Sequence, residues 1–427
     1  MVQTLRFIDL FAGLGGMRIG LEKACTSLQI KSHCVFTSEI KSSALAVYSQ
    51  YFLDQTIAGD ISQIPSQEIP NFDILLAGFP CQPFSSAGTR QGFLDTRGTL
   101  FFEIQRILKA KKPLGFLLEN VEGLAKHDQG RTLKTILYCL QSLGYQVTWK
   151  VLNSQDFGVA QNRKRIYIVG LQQSVISWDF PPYFPKRLSD ILDREQPLLN
   201  NAFTQLLLSH YPLEELQGKA IKDKRGGQDN IHSWDLELKG SVSPEQKQVL
   251  NLLLKQRRRK VWSAKKGIQW MDGIPLTVEE INSFYPHPTL STLLDDLVEK
   301  GYLKYEQPKD IQSIVNSEGN IVKKRLYRED LAKGYNIVVG KLSFPITKIL
   351  HPHDVTPTLV ATDMQKLAVV DGKGLRYLTI REGLRLFGFP EDYQINLPPE
   401  KAYDLLGNTV VIPVIEAIVQ KMLVMLL

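Results

Sequence analysis

At 427 residues the chain is long for one domain and suits two or three. A composition 43% hydrophobic and 22% charged is that of a folded globular protein and excludes global disorder, and no uncharged apolar run reaches the ~18 residues of a membrane span. The formal net charge of +7 favours an anionic partner such as nucleic acid.

In chain order, the stretch MVQTLRFIDLFAGLGGM has an aspartate inside its apolar run and no basic leader, so it is expected to be a buried strand rather than a signal peptide. Short apolar runs predict strands at Arg6–Leu10, Val35–Ser38, Asp73–Ala77, Gly115–Leu118, Gln146–Leu152 and Ile166–Leu171. Helical periodicity falls at Ala44–Phe52, Leu100–Ala110 and Leu133–Leu143. The alternation is that of βαβ units and predicts an α/β fold, a doubly wound, mostly parallel sheet over residues 1–175. After Leu171 the rhythm stops, and Pro181, Pro182 and Pro185 punctuate a linker-like stretch, so residues 176–397 are read as a second, smaller domain.

Within that domain Ser243–Gln246 is a capping box with proline at the first helical position, opening a helix through about Leu254. Thr277–Glu280 is a second capping box, and Leu290, Leu293, Leu294, Leu297 and Val298 form the apolar stripe of a third helix, ended by Gly301 ahead of a strand at Tyr302–Tyr305. Residues 241–310 are therefore either a winged-helix-like segment or a plain helical insertion. The basic run Lys255–Lys260 lies inside it, and Arg257, Arg258 and Arg259 are candidates for contact with phosphates, the alternative being a solvated helix face. Apolar patterning returns at Val410–Ile418 and Met422–Leu427, so residues 398–427 are expected to complete the first domain. The four cysteines, Cys25, Cys34, Cys81 and Cys139, show no CxxC spacing, which predicts no disulfide framework, no metal site and a reducing, cytoplasmic compartment.

Four segments carry chemistry. Asp9–Gly16 takes a strand through a glycine-rich turn into a helix, where close backbone approach and free N–H groups suit a nucleotide-like ligand. Glu39, at the end of the next strand, can bond ribose hydroxyls, and Asp60-Ile61, after a third, can read an adenine amino group. Gly78-Phe79-Pro80-Cys81 follows the strand Asp73–Ala77, and a cysteine between prolines at a strand's carboxyl end suits a nucleophile, with a buried structural cysteine as the bland alternative. Glu119-Asn120-Val121 stands at another strand end, where a carboxyl of raised pKa can donate a proton. In Gln161-Asn162-Arg163-Lys164-Arg165 two arginines at i, i+2 are expected to point the same way from an extended segment.

These segments, in this order, resemble the DNA (cytosine-5) methyltransferase family of bacterial modification enzymes, over residues 5 to about 171 and about 374 to 416. The resemblance implies the S-adenosylmethionine-dependent methyltransferase type of α/β fold, with S-adenosylmethionine as cofactor and double-stranded DNA as substrate. It gives Cys81 the role of nucleophile and Glu119 that of acid at cytosine N3, and puts Arg163 and Arg165 near the base carbonyl and the catalytic loop. It assigns the cofactor pocket to Asp9, Phe11, Gly13, Gly15, Gly16, Glu39, Ile40, Asp60, Ile61, Gly78, Pro80, Asn408 and Val410. Phe11 is the aromatic expected against the adenine; Ile40 replaces a frequent tryptophan, and Leu405 a frequent glutamine. Residues 82–97, with Ser85, Arg90 and Arg97, match a loop that closes over a flipped-out base. Residues 176–397 would be the target-recognition domain. The expected partners are duplex DNA bound by a monomer and a cognate restriction endonuclease of the same site, with no membrane. A tRNA cytosine methyltransferase of the same fold and a non-catalytic DNA-binding regulator are the rival readings.

Overall fold

In the first unit the alternating apolar runs build one sheet of seven strands. These are β1 (Leu5–Leu10), β2 (Ser32–Ser38), β3 (Ile57–Ala58), β4 (Ile74–Gly78), β5 (Gly115–Val121), β6 (Gln146–Asn153) and β7 (Lys164–Leu171). Their order is β3-β2-β1-β4-β5-β7-β6, the first five parallel and β7 antiparallel to both its neighbours. The chain steps outward from β1 in one direction and resumes at β4 in the other. The carboxyl ends of β1 and β4 therefore flank a topological switch point, where open α/β sheets bind ligands.

The computed structural model describes residues 4–53, 57–79, 99–224, 227, 229–269, 273–315, 321–339 and 344–426. Helices α1 (Gly16–Ser27), α2 (Ser42–Tyr51), α3 (Thr99–Lys111) and α4 (Arg131–Gln141) connect the strands. Ile104 and Ile107 of α3 and Ile136 and Leu140 of α4 are fully buried in one core with Ile8, Leu75, Phe116 and Leu118 of the sheet. The first unit comprises Met1–Gln196, His351–Gln365 and Leu378–Leu427. Helices α11 (Ile380–Phe387), α12 (Pro399–Gly407) and α13 (Ile412–Leu426) belong to it. A methyl group on Gly20 of α1 would lie 2.6 Å from Ile415 of α13, so the glycine is what lets the two helices meet. By composition the run Pro399–Leu426 is long and apolar enough to cross a membrane, but 61% of its most apolar window is buried in the protein and the helix breaks after Gly407.

The second unit comprises Pro197–Leu350 and Lys366–Tyr377. It is narrower than the 176–397 expected: residues 351–365 and 378–397 pack with the first unit, where Thr356 pairs with Gln161 and the carbonyls of Leu359 and Leu386 take hydrogen bonds from Arg163 and Gln161. Helices α5 (Ala202–His210) and α6 (Leu213–Leu216) accompany a five-stranded sheet of β8 (Ala220–Ile221), β9 (Asn230–Ile231), β14 (Lys348–Ile349), β15 (Leu367–Asp371) and β16 (Gly374–Tyr377). Three of these strands are two residues long, too short to show a period of two in sequence.

Between them lie α7 (Pro244–Gln256), α8 (Lys260–Lys265), α9 (Val278–Asn282) and α10 (Leu290–Glu299), followed by β10 (Leu303–Glu306), β11 (Lys309–Val315), β12 (Ile321–Tyr327) and β13 (Gly334–Ile337). Both capping boxes form, Ser243 with Gln246 and Thr277 with Glu280. The stripe of α10 buries Leu290, Leu294 and Leu297 against Leu250 and Leu253 of α7 in a core of its own.

Candidate active site

The turn after β1 is left-handed three times: Phe11 at φ 57°, Gly13 at 54° and Gly15 at 72°. Phe11 is a non-glycine residue in that region, and it packs half-buried on the sheet's core. Gly15 has no room for a side chain, since a methyl there would meet the Phe52 ring at 2.4 Å. The turn is braced from far along the chain, the buried Tyr393 hydroxyl donating to the Leu14 carbonyl at 2.7 Å. Nothing in the local sequence announces that contact.

Glu39 ends β2 beside this turn, and its carboxylate accepts from the backbone N–H groups of Gly13 (2.8 Å), Ile40 (2.8 Å) and Lys41 (2.7 Å). The acid therefore fixes the glycine turn as well as facing solvent. Ile40 beside it is 71% exposed, an apolar surface available to a flat ring. Asp60 is exposed and caps the next short turn through Ser62, whereas the Ile61 side chain is buried in the core, so only its backbone remains for a ligand.

Asp9 is 1% exposed, and neither of its side-chain oxygens has a hydrogen-bond partner among the described residues. Burial pushes its pKa well up, nearby Arg18 opposing and Glu39 adding. A buried, unsatisfied carboxyl beside a left-handed glycine turn fits a ligand bearing N–H or ammonium donors.

Gly78, Glu119 and Val410 converge. A methyl on Gly78 would lie 3.7 Å from Glu119 Oε2, 3.9 Å from Met17 Sδ and 3.9 Å from Val410 Cγ1, while one on Gly16 would lie 2.9 Å from Val410 Cγ2. The ends of β4 and β5, the start of α1 and the turn before α13 thus wall one space. Asn408 in that turn is exposed and donates to the Asp404 carbonyl. Gly407 is required there, because a methyl would sit 2.1 Å from the Ala361 nitrogen.

Glu119 is buried, 3.2 Å from Arg165 Nε. Its pKa is raised by burial, against the opposing pull of Arg165 and Arg163. The adjacent Asn120 donates to the Phe79 carbonyl at 2.9 Å and accepts from Val121 N–H at 2.8 Å, clamping the chain two residues ahead of Cys81. Pro80, Cys81, Ser85, Arg90 and Arg97 lie outside the described residues.

The two arginines of the extended segment do different work. Arg165 faces Glu119, but Arg163 is 3% exposed and donates to the carbonyls of Leu359 (2.8 Å), Gly407 (3.1 Å) and Thr409 (2.9 Å). Its two terminal nitrogens hold Leu359 and the 407–409 turn, while its buried Nε has no hydrogen-bond partner among the described residues. Burial, then Arg165, lowers its pKa to about 10, so it stays charged at neutral pH. Arg163→Ala is expected to cost about 3 kcal/mol in denaturant unfolding, the scale of breaking a buried hydrogen-bond network. An unchanged unfolding midpoint with a raised KM for the substrate would instead place Arg163 at the reacting centre.

Among the three arginines expected on phosphates, Arg257 is turned away from solvent. It is 2% exposed and donates to Asn336 Oδ1 at 2.8 Å, packed beneath Gly273. Its position four residues after Leu253 and seven after Leu250 continues the buried stripe of α7, a signal present in the sequence. Arg258 is half-buried and Arg259 exposed. No cluster of side chains able to hold a metal occurs among the described residues.

Residues 5–424 match the family model described as C-5 cytosine-specific DNA methylase. The chain is 54% identical to Type II methyltransferase M.NlaIV of Neisseria lactamica and to Type II methyltransferase M.NgoBV of Neisseria gonorrhoeae, with 99% of each chain covered. It is 40% identical to Type II methyltransferase M.BanI of Aneurinibacillus aneurinilyticus over 97% of this chain and 95% of that one. Among solved structures it resembles the Entamoeba histolytica methyltransferase EhMeth (TM-score 0.54, 16% identity, 100% and 99% covered) and S. pombe Dnmt2 methyltransferase (0.53, 18%, 99% of both). At such identities the structural likeness concerns the fold.

Proposed function

Because the chain belongs to the C-5 cytosine-specific DNA methylase family, and is thus a DNA (cytosine-5-)-methyltransferase, we propose that it methylates C5 of a flipped-out cytosine in a specific duplex sequence through a Cys81–C6 adduct. The observation that carries this reading is the pairing at the ends of β4 and β5. Glu119 keeps a raised pKa there, while its neighbour Asn120 clamps the Phe79 carbonyl just ahead of Cys81.

When bound, S-adenosylmethionine supplies an electrophilic methyl on a cationic sulfur. Asp9, the turn Phe11–Gly16, Glu39, Ile40, the Asp60-Ile61 backbone, Gly78, Asn408 and Val410 are the residues proposed to hold it. The thiolate of Cys81 adds to cytosine C6, forming the S–C6 bond, as Glu119 delivers its proton to N3. The electron pair gathered at C5 takes the methyl. Water takes the C5 proton, the C5–H electron pair reforms the C5–C6 double bond as the S–C6 bond breaks and returns Cys81 as thiolate, and N3 gives its proton back to Glu119. Arg165 holds Glu119 in place beside the ring. Residues 82–97, with Ser85, Arg90 and Arg97, close over the extruded base, whose unstacking costs a few kcal/mol. The second unit serves as the target-recognition domain. The protein acts in the cytoplasm as a monomer on DNA and protects the site cut by a cognate restriction endonuclease.

Asp9 offers a test of the cofactor pocket. Its carboxyl stays protonated further up the pH scale in the fold than in the unfolded chain, so stability present below the ordinary carboxylate range is lost as pH rises through the raised value. Asp9→Asn is therefore expected to melt higher than the parent at neutral pH, with the gap closing below about pH 3.9, while binding S-adenosylmethionine more weakly. A variant that melts like the parent at every pH and binds the cofactor equally well would remove Asp9 from the pocket. The function itself is tested by bisulfite sequencing of DNA from cells expressing the chain, with a parallel methyl-transfer assay on tRNA. One cytosine methylated within one sequence is expected; transfer to tRNA without duplex DNA would overturn the proposal.

A further inference from the structure

Part of the second unit runs through helices α7 and α8, a single bridged residue, helices α9 and α10, a strand, a hairpin and a strand. After α7, Leu276 exchanges both backbone hydrogen bonds with Tyr335 of β13 (3.1 and 2.8 Å). Helices α9 and α10 come next, then β10, which pairs antiparallel with β13, and β11 and β12 form a separate two-stranded ribbon between them. Either a helix such as α10 or the two-stranded ribbon is narrow enough to enter a groove of duplex DNA.

Charge separates the two. Residues 278–299, spanning α9 and α10, contain five carboxylates and no lysine or arginine. Glu280 is paired with Lys266 and Asp296 with Lys300, which leaves Glu279, Asp295 and Glu299 without an ion pair to a lysine or arginine among the described residues. Asp295 and Glu299 of α10 are exposed, and the Tyr335 hydroxyl donates to Asp295 at 2.6 Å. Laid in a groove, this surface would face phosphates with like charge.

The ribbon is the reverse. Its register is unbroken from Lys309↔Tyr327 to Val315↔Ile321, so alternate residues share a face. One face carries Lys309, Lys323 and Arg325 and no carboxylate, among apolar side chains left open to solvent: Val315 is 67% exposed and Ile321 77%. Lys309 Nζ stands 4.2 Å over the Tyr327 ring. The other face carries the buried Asp310, which accepts from Gln269 N–H at 3.0 Å and pins the base of the ribbon.

We propose that this ribbon face, and not α9–α10, is where the second unit meets duplex DNA, its cations on phosphates and its apolar side chains against sugars. The proposal rests on the reading of duplex DNA as substrate. A two-stranded ribbon is narrow enough to enter a groove of B-DNA.

The test is equilibrium binding of the full-length chain to a short mixed-sequence duplex by fluorescence anisotropy at several salt concentrations. The double variant Lys323→Ala, Arg325→Ala is expected to flatten the slope of log affinity against log salt by about 1.8, at about 0.9 per lost phosphate contact. The charge-retaining pair Lys323→Arg, Arg325→Lys keeps the parent slope, which separates lost contacts from a disturbed fold. The variant Asp295→Asn, Glu299→Gln keeps the parent affinity. A parental slope in the alanine variant, or tenfold tighter binding by the α10 variant, overturns the proposal. Methylation of plasmid DNA by the parent is read separately: its absence sinks the proposed function whatever the slopes, whereas parental activity with an unchanged ribbon slope sinks the ribbon alone.

Discussion

Cys81→Ser is expected to abolish methyl transfer to duplex DNA while leaving S-adenosylmethionine binding within a few-fold. A thiol titrates near ~8.5, so an appreciable fraction is thiolate close to neutral pH, whereas a serine hydroxyl is essentially never ionised there. Transfer of a labelled methyl group to plasmid DNA reads the first effect and equilibrium dialysis of labelled cofactor the second. Because Cys81 is proposed to bond C6 covalently, the parent should also form a denaturation-resistant adduct with a duplex carrying 5-fluorocytosine at the target. Fluorine cannot leave as the C5 proton does, so elimination stalls and the S–C6 bond persists. Substantial turnover by the serine variant, or an active parent that forms no adduct, would overturn the assignment of the nucleophile.

Glu119→Gln is expected to lower the methylation rate by ~10²–10⁴-fold, the usual contribution of a positioned acid, with a much smaller loss in DNA binding. The amide keeps a hydrogen-bonding partner for the ring but has no proton to deliver. The pH profile adds a second reading. Burial raises the Glu119 pKa against the opposing charges of Arg165 and Arg163, so its acid form persists above the ordinary carboxylate range and is lost as pH rises through the folded value. The parent rate should carry a limb that falls with rising pH for this reason, and the glutamine variant should lack it. Equal losses in binding and rate, with the limb retained, would make Glu119 a positioning residue.

The sheet and the residues at its strand ends were legible in the chain because their signals are local. Short apolar runs inside β1, β2 and β5, strands of six or seven residues, mark them, and the glycines and proline within a few residues of the ends of β1 and β4 mark turns that a ligand can approach. Asp9, Glu39 and Glu119 could be singled out from position alone, since in a parallel sheet the carboxyl end of a strand is where chemistry sits. The capping boxes of α7 and α9 were equally local. Tertiary structure decided what depends on partners far away in the chain. Arg163 and Arg165 are two residues apart and alike in sequence, yet one holds carbonyls 196 to 246 positions later and the other holds Glu119. The basic run Lys255–Lys260 reads as one charged face, but it spans the end of α7 and the start of α8, and Arg257 at the cap turns into the core to hold Asn336, 79 positions on. The five-stranded sheet of the second unit escaped notice because strands of two residues have no periodicity to read. Local propensity is written within a few residues, whereas burial, pairing and the direction of a long charged side chain are set by whichever distant segment the fold packs against it.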